Sequence, residues 1–170
     1  IRECIGCNMC IASWHDGVPV RCTQNATAGE EWRRNWHPEQ FQRTQKPENV
    51  LVIGGGPAGL EAALVAARQG YEVTLAEQNS DWGGRVLAES QLPGLAEWRR
   101  VRDYRVWALS QLCNVAMYTD SPMGIDEISE LDSQHIAVAT GAHWTTHLYS
   151  PLEIPSEPLL GAQVFTPEDV

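Results

Sequence analysis

The 170-residue sequence is short of positive charge: 12 basic residues stand against 22 acidic ones, for a formal net charge of −10, and no basic block interrupts that balance. A phosphate backbone would find no electrostatic grip on such a chain, so no nucleic acid is expected as a partner. Long apolar runs are missing as well. None approaches the length of a membrane span, and the first residues lack the charged-then-apolar layout of a signal peptide. A cytoplasmic protein that needs no membrane is the expectation. There is no internal repeat, no low-complexity tract and no initiating methionine. The chain starts at Ile1 and enters a cysteine motif three residues later, as a fragment of a longer polypeptide would.

What is present is organised around Asn49 to Gln78, NVLVIGGGPAGLEAALVAARQGYEVTLAEQ. Asn49 to Ile53 is a short apolar run of the kind that forms a buried parallel strand. The following G-x-G-x-x-G has three separate tasks. Gly54 permits the tight exit from the strand, Gly56 lets the backbone approach a pyrophosphate, and Gly59 lets the helix pack close to the sheet. Pro57 suits the first helical turn. From Ala58 to Gln69 an aliphatic helix can lie on the sheet with its N-terminal amides and dipole towards a diphosphate. Gly70 closes that helix, and Tyr71 to Ala76 forms a second strand. Glu77 then stands at the strand's carboxyl end, about twenty residues beyond the glycines, where an acid accepts both ribose hydroxyls and disfavours a 2′-phosphate. The register of strand, glycines, helix, strand and acid points to a bound dinucleotide or ADP.

Four of the five cysteines lie in the first 22 residues, with the spacing C-x2-C-x2-C-x11-C at Cys4, Cys7, Cys10 and Cys22. Three cysteines this close can wrap one face of a cubane, and a fourth from a later turn can complete a 4Fe-4S centre. Zinc is the alternative, although a four-cysteine zinc site usually uses two separated C-x-x-C knuckles. Disulfides between adjacent steps would be strained. His15 and His37 could ligate metal in principle, but the cysteine set is already complete.

The composition divides the chain into residues 1–46, a small cluster-binding segment with a strap, and residues 47–170, an incomplete α/β Rossmann-like domain. Trp32, Trp36 and Phe41 in the strap are spaced to pack, with Arg33 and Arg34 between them, and 42–48 reads as a linker. After Glu77 the paired glycines Gly83 and Gly84 permit close backbone approach to the ribose or diphosphate. Arg85 either pairs a phosphate or is an exposed arginine beside a tight turn. Helical spacing covers Leu95 to Leu112, in one helix or two. Asn114 to Tyr118 and His135 to Ala139 read as strands, Ile125 to Leu131 as a short helix, and Cys113 as a core residue. Beyond Ala142, prolines break the chain into loops or a hairpin.

With CIGCNMC and its distant Cys22, CTQNATAGEEWRRNWHP, VLVIGGGPAGLEAA, LPGLAEWRRVRDYR and VATGAHW in view, nearly the whole chain resembles the trimethylamine, dimethylamine and histamine dehydrogenases. These iron-sulfur flavoproteins are related to dienoyl-CoA reductase and the old yellow enzymes. The resemblance implies an N-terminal β/α barrel carrying FMN and the substrate site, absent here. It also implies a 4Fe-4S cluster on Cys4, Cys7, Cys10 and Cys22, followed by a glutathione-reductase-like domain that holds free ADP or FAD at Gly54, Gly56, Gly59 and Glu77. Val170 falls about where a second, NAD-like insert would begin. Many members have Asn-Pro after the fourth cysteine, where this chain has Asn25-Ala26.

The implied reaction oxidises a small amine at its C–N bond. Hydride passes to FMN, single electrons pass through the cluster, and an electron-transfer flavoprotein collects them, in an enzyme expected to be a homodimer. Two other readings remain open: an NAD(P)H-dependent dienoyl-CoA or enoate reductase with FAD as a relay, and a non-redox nucleotide-binding module with structural zinc.

Overall fold

The computed structural model describes residues 2–29, 41–143 and 165–166. The chain divides into two compact units, Ile1–Thr140 and Gly141–Val170, and every helix and strand among the described residues lies in the first. No helix among them is long and apolar enough to cross a membrane.

Four short strands form a parallel sheet. β1 (Asn49–Ile53) pairs with β2 (Glu72–Ala76) from Asn49 opposite Glu72 to Ile53 opposite Ala76. β3 (Val115–Tyr118) adds beside β2, and β4 (His135–Val138) beside β1, so the order is β3-β2-β1-β4. The chain steps outward from β1 to β2 to β3, then returns across the sheet to the free edge of β1. That reversal makes a switch point at the carboxyl ends of β1 and β4, where open α/β sheets bind their ligands.

The core explains why the central strands read as continuous apolar runs. Helix α2 (Pro57–Gln69) buries Leu60, Ala63, Leu64 and Ala67, one stripe at helical spacing, against Val50 and Val52 of β1 and Val73 and Leu75 of β2. Ala108 and Leu109 of helix α4 (Arg100–Ser110) close the same core. Each fully buried leucine contributes roughly 1.5–3 kcal/mol. Pro57 occupies the first turn of α2, and Gly70 caps its end at φ 96°. The amide of Asn114 donates to the carbonyls of Ala67 and Tyr71, at 2.9 and 2.7 Å, satisfying groups the helix end leaves over.

The helical stretch from Leu95 resolves into a 3-10 turn, Ala96–Arg99, running into α4, and the expected short helix is α5 (Ile125–Glu130). Two helices escaped the sequence pattern: α1 (Met9–His15) and α3 (Arg85–Glu89). Cys113 corrects an expectation. It is exposed, because it falls in the turn after α4, next to Leu112, and Leu112 is the residue that packs on the core. The strap residues Trp32, Arg33, Arg34, Trp36 and His37, and the loops expected from Trp144 to Val164, lie outside the described residues.

A second, smaller apolar cluster joins the first residues to the sheet's helices. Ile5, Val86 of α3 and Val101 of α4 are buried together, with Cys7 and Trp98 packed against them. The cysteine loop is thus seated on the segment that follows the Gly83-Gly84 turn.

Candidate nucleotide site and cysteine centre

The switch point is built around Gly54. Its φ of 105° is open to glycine and strained for any other residue, and an added Cβ would collide with the carbonyl oxygen of Ala139 just beyond β4. Gly59 sits in α2 so close to the turn that a Cβ would strike the Gly54 carbonyl oxygen. Gly56 differs: nothing lies within 4 Å of its would-be Cβ. Its outer face is open, as the approach of a diphosphate to the α2 N-terminus requires. Pro57 and Ala58 open the helix there and are exposed.

Glu77 is buried, with 5% of its surface exposed, and its carboxylate crosses the ends of β1 and β2. Oε2 accepts from the Gly55 backbone N–H at 2.6 Å; Oε1 accepts from the Asn79 backbone N–H at 2.9 Å and from its side-chain amide at 2.8 Å. A carboxylate offers about four acceptor positions, so this one keeps capacity for a further donor such as a ribose hydroxyl. Gly55, Asn79 and Trp82 were not singled out in the sequence. A Cβ on Gly55 would meet the Trp82 ring and lie 3.0 Å from Glu77 Oε2. The run of three glycines was the signal for it.

The second glycine pair does reach this turn. The Gly83 N–H donates to the Gly55 carbonyl at 2.8 Å, and a Cβ on Gly84 would lie 3.2 Å from the Gly56 Cα. Arg102 of α4 braces the loop by donating to the Trp82 carbonyl at 3.1 Å. Arg85 heads α3, and its guanidinium pairs with Glu89 one turn later, at 2.8 Å.

Left-handed residues at Gly6 (φ 67°) and Asn8 (φ 58°) turn the chain between the first three cysteines, and Cys10 falls in the first turn of α1. The Gly6 N–H points to Cys4 Sγ and the Gln24 N–H to Cys22 Sγ, both at 3.4 Å. Cys7 Sγ lies 3.2 Å from the Thr23 hydroxyl. That hydroxyl first, and then the Met9 amide, draws the Cys7 thiol below its ordinary pKa. All four thiols are free. The sulfurs are not drawn into one ligand set: among the described residues, no three His, Cys, Asp or Glu side chains converge as a metal site. The donor chemistry nevertheless fits a thiolate-bound group, since hydrogen-bond donors at sulfur favour the thiolate over the thiol. His15 stacks edge-on against Trp14 at the end of α1.

A switch-point glycine turn facing a buried acid defines a dinucleotide-binding domain of flavin oxidoreductase type. Accordingly, a family model described as FAD dependent oxidoreductase matches residues 49–113. The chain is 44% identical to a dimethylamine dehydrogenase of Hyphomicrobium sp. (strain x), an alignment that covers 100% of this chain and 24% of that protein. Its structure superposes on histamine dehydrogenase from Rhizobium sp. 4-9 with a TM-score of 0.84 and 46% identity, over 91% of this chain and 22% of that one. It also superposes on 6-hydroxypseudooxynicotine amine oxidase from Pseudomonas geniculata N1, with a TM-score of 0.85 and 48% identity, over 91% and 24%. The chain belongs to the trimethylamine, dimethylamine and histamine dehydrogenase family, and it spans about a quarter of the length of these relatives.

Proposed function

We propose that this chain is the electron-transfer portion of an iron-sulfur flavoprotein amine dehydrogenase. Residues 1–46 would hold a 4Fe-4S cluster on Cys4, Cys7, Cys10 and Cys22, and residues 47–170 would bind ADP or the ADP half of FAD. The observation that carries this reading is the seating of Cys7 on Val86 and Val101, the elements that also frame the nucleotide loop. A four-cysteine segment seated on a dinucleotide domain through Ile5 and Cys7 suits a redox relay better than an isolated zinc knot.

When bound, the cluster supplies one-electron exchange between FMN on the preceding barrel and an electron-transfer flavoprotein. This chain's own residues bind and orient. The α2 amides beyond Gly56 and Pro57 hold the diphosphate, Gly84 lets the backbone close on it, and Glu77 receives the ribose. Arg85, whose Nε pairs with Glu89, would be the cation that faces a phosphate beside the turn. The four cysteines would hold iron as thiolates, with Cys7 packed on the cluster of Ile5, Val86 and Val101.

The test uses the full-length protein with dimethylamine and histamine as probes and an electron-transfer flavoprotein as acceptor. Amine-dependent reduction of the acceptor is expected. Reduction by NAD(P)H with no response to any amine would sink the reading. A second reading, an NAD(P)H-linked enoate or dienoyl-CoA reductase, draws on the flavin family match over residues 49–113. Mass spectrometry of the nucleotide released on denaturation separates the two, with ADP favouring the dehydrogenase and FAD the reductase.

A further inference from the structure

A buried polar network joins the fourth cysteine to the nucleotide domain, and neither the glycine turn nor the four thiols account for it. Arg105 of α4 is 4% exposed. Its Nε donates to Glu61 Oε2 at 2.6 Å, and one terminal nitrogen donates to the Val101 carbonyl at 2.8 Å and to the Gln24 side-chain oxygen at 3.2 Å. Arg2 approaches from the other end of the cysteine segment. It donates to the Gln24 backbone carbonyl and to Glu61 Oε1, and its guanidinium lies 5.2 Å from the centre of the Tyr104 ring. Gln24 is itself buried, at 5% exposure, and is therefore held by both its carbonyl groups.

What Gln24 holds in turn is sulfur. Its backbone N–H points to Cys22 Sγ, and the residue before it, Thr23, places its hydroxyl on Cys7 Sγ. Two sulfurs thus take their hydrogen-bond partners from one tripeptide, Cys22-Thr23-Gln24. That tripeptide is fixed by two arginines sharing the Glu61 carboxylate on α2, the helix whose first turn forms the nucleotide site.

We propose that Arg105 is a positioning residue for the cysteine centre: through Glu61 and Gln24 it keeps the Gln24 N–H on Cys22 and the Thr23 hydroxyl on Cys7, and so sets the reduction potential of the bound cluster. The inference rests on the reading that the four cysteines hold a 4Fe-4S cluster. Reduction adds one negative charge to the cluster, and donors at its sulfurs stabilise that charge, so their loss moves the potential down. Arginine is required because one planar fork must serve a carboxylate, an amide oxygen and a carbonyl together, a geometry that a lysine ammonium on its flexible stem does not reproduce.

The test is an anaerobic redox titration of the full-length protein, followed by electron paramagnetic resonance, with iron and acid-labile sulfide counted on each sample. Arg105→Gln is expected to retain its iron and to lower the reduced-to-oxidised ratio about tenfold at fixed potential, a shift of about 59 mV for one electron. Arg105→Lys should recover part of that shift. Gln24→Leu removes no charge and keeps the backbone N–H. It should also lower the ratio, by about threefold, and it carries the test if Arg105→Gln does not fold. Wild-type potentials in Gln24→Leu and in any folded Arg105 variant would overturn the proposal, leaving the network a structural strut. Wild-type protein without iron or sulfide would instead overturn the cluster reading beneath it.

Discussion

The glycine turn and the cysteine loop lie against the same helices and are built in opposite ways. At the turn, backbone and packing do nearly everything. Gly54, Gly55 and Gly59 are fixed by atoms a Cβ would strike, and Glu77 has three donors on its carboxylate. The cysteine loop is held at its edges, by Ile5 on one side and by the Arg2–Glu61–Arg105 network on the other, while Cys4 and Cys10 stay exposed. The difference teaches what each site asks of its ligand. In the proposed reading a diphosphate would meet amides already aimed at it, whereas a cluster would supply the bonds that draw its own ligands together.

Substitutions can break or sharpen that contrast. Leu64→Ala removes a fully buried side chain from the core under α2, the helix that the glycine turn opens, and should cost about 2–5 kcal/mol by denaturant unfolding of the full-length protein. A smaller loss would mean that the turn does not depend on this core. Gly59→Ala drives a Cβ into the Gly54 carbonyl, so a cost of about 1–3 kcal/mol is expected, with weakened nucleotide binding and unchanged iron content. Iron lost in parallel would show that the two sites are not built independently.

Glu77→Gln keeps the shape of the side chain but removes the charge that the Gly55 and Asn79 amides share. Calorimetric titration of nucleotide-free protein with ADP should show affinity lowered about tenfold, near 1.4 kcal/mol. The smallest effect is expected at Glu48, far from both sites, whose pKa is lowered by the His135 hydrogen bond first and Lys46 second. A depressed carboxylate stabilises the fold above its unfolded pKa and loses that contribution as pH falls through the folded value. Glu48→Gln should therefore melt slightly lower near neutrality, with the gap closing below the usual glutamate range near about pH 4.3. A gap that widens in acid would reverse the assignment.

Much of this was legible in the chain because strand, turn, helix and strand were consecutive and long enough to show their periods. Gly54, Gly59, Gly70 and Glu77 could be placed from spacing alone, since each answers a backbone demand of the βαβ unit. The short helices α1 and α3 could not: seven and five residues hold too few turns for an apolar stripe to repeat. The sequence leaves Arg85 between a phosphate and an exposed position beside a tight turn, since it does not rank Glu89 as a partner. Arg105 and Glu61 were invisible for another reason. Their meeting depends on two helices 44 positions apart packing side by side, which no local pattern encodes.

The most direct test of the account is the metal and sulfide content of the full-length protein, purified without oxygen. About four iron and four sulfide per chain are expected, all lost in Cys22→Ser with nucleotide binding retained. Stoichiometric zinc without sulfide, unaffected by reconstitution, would contradict it.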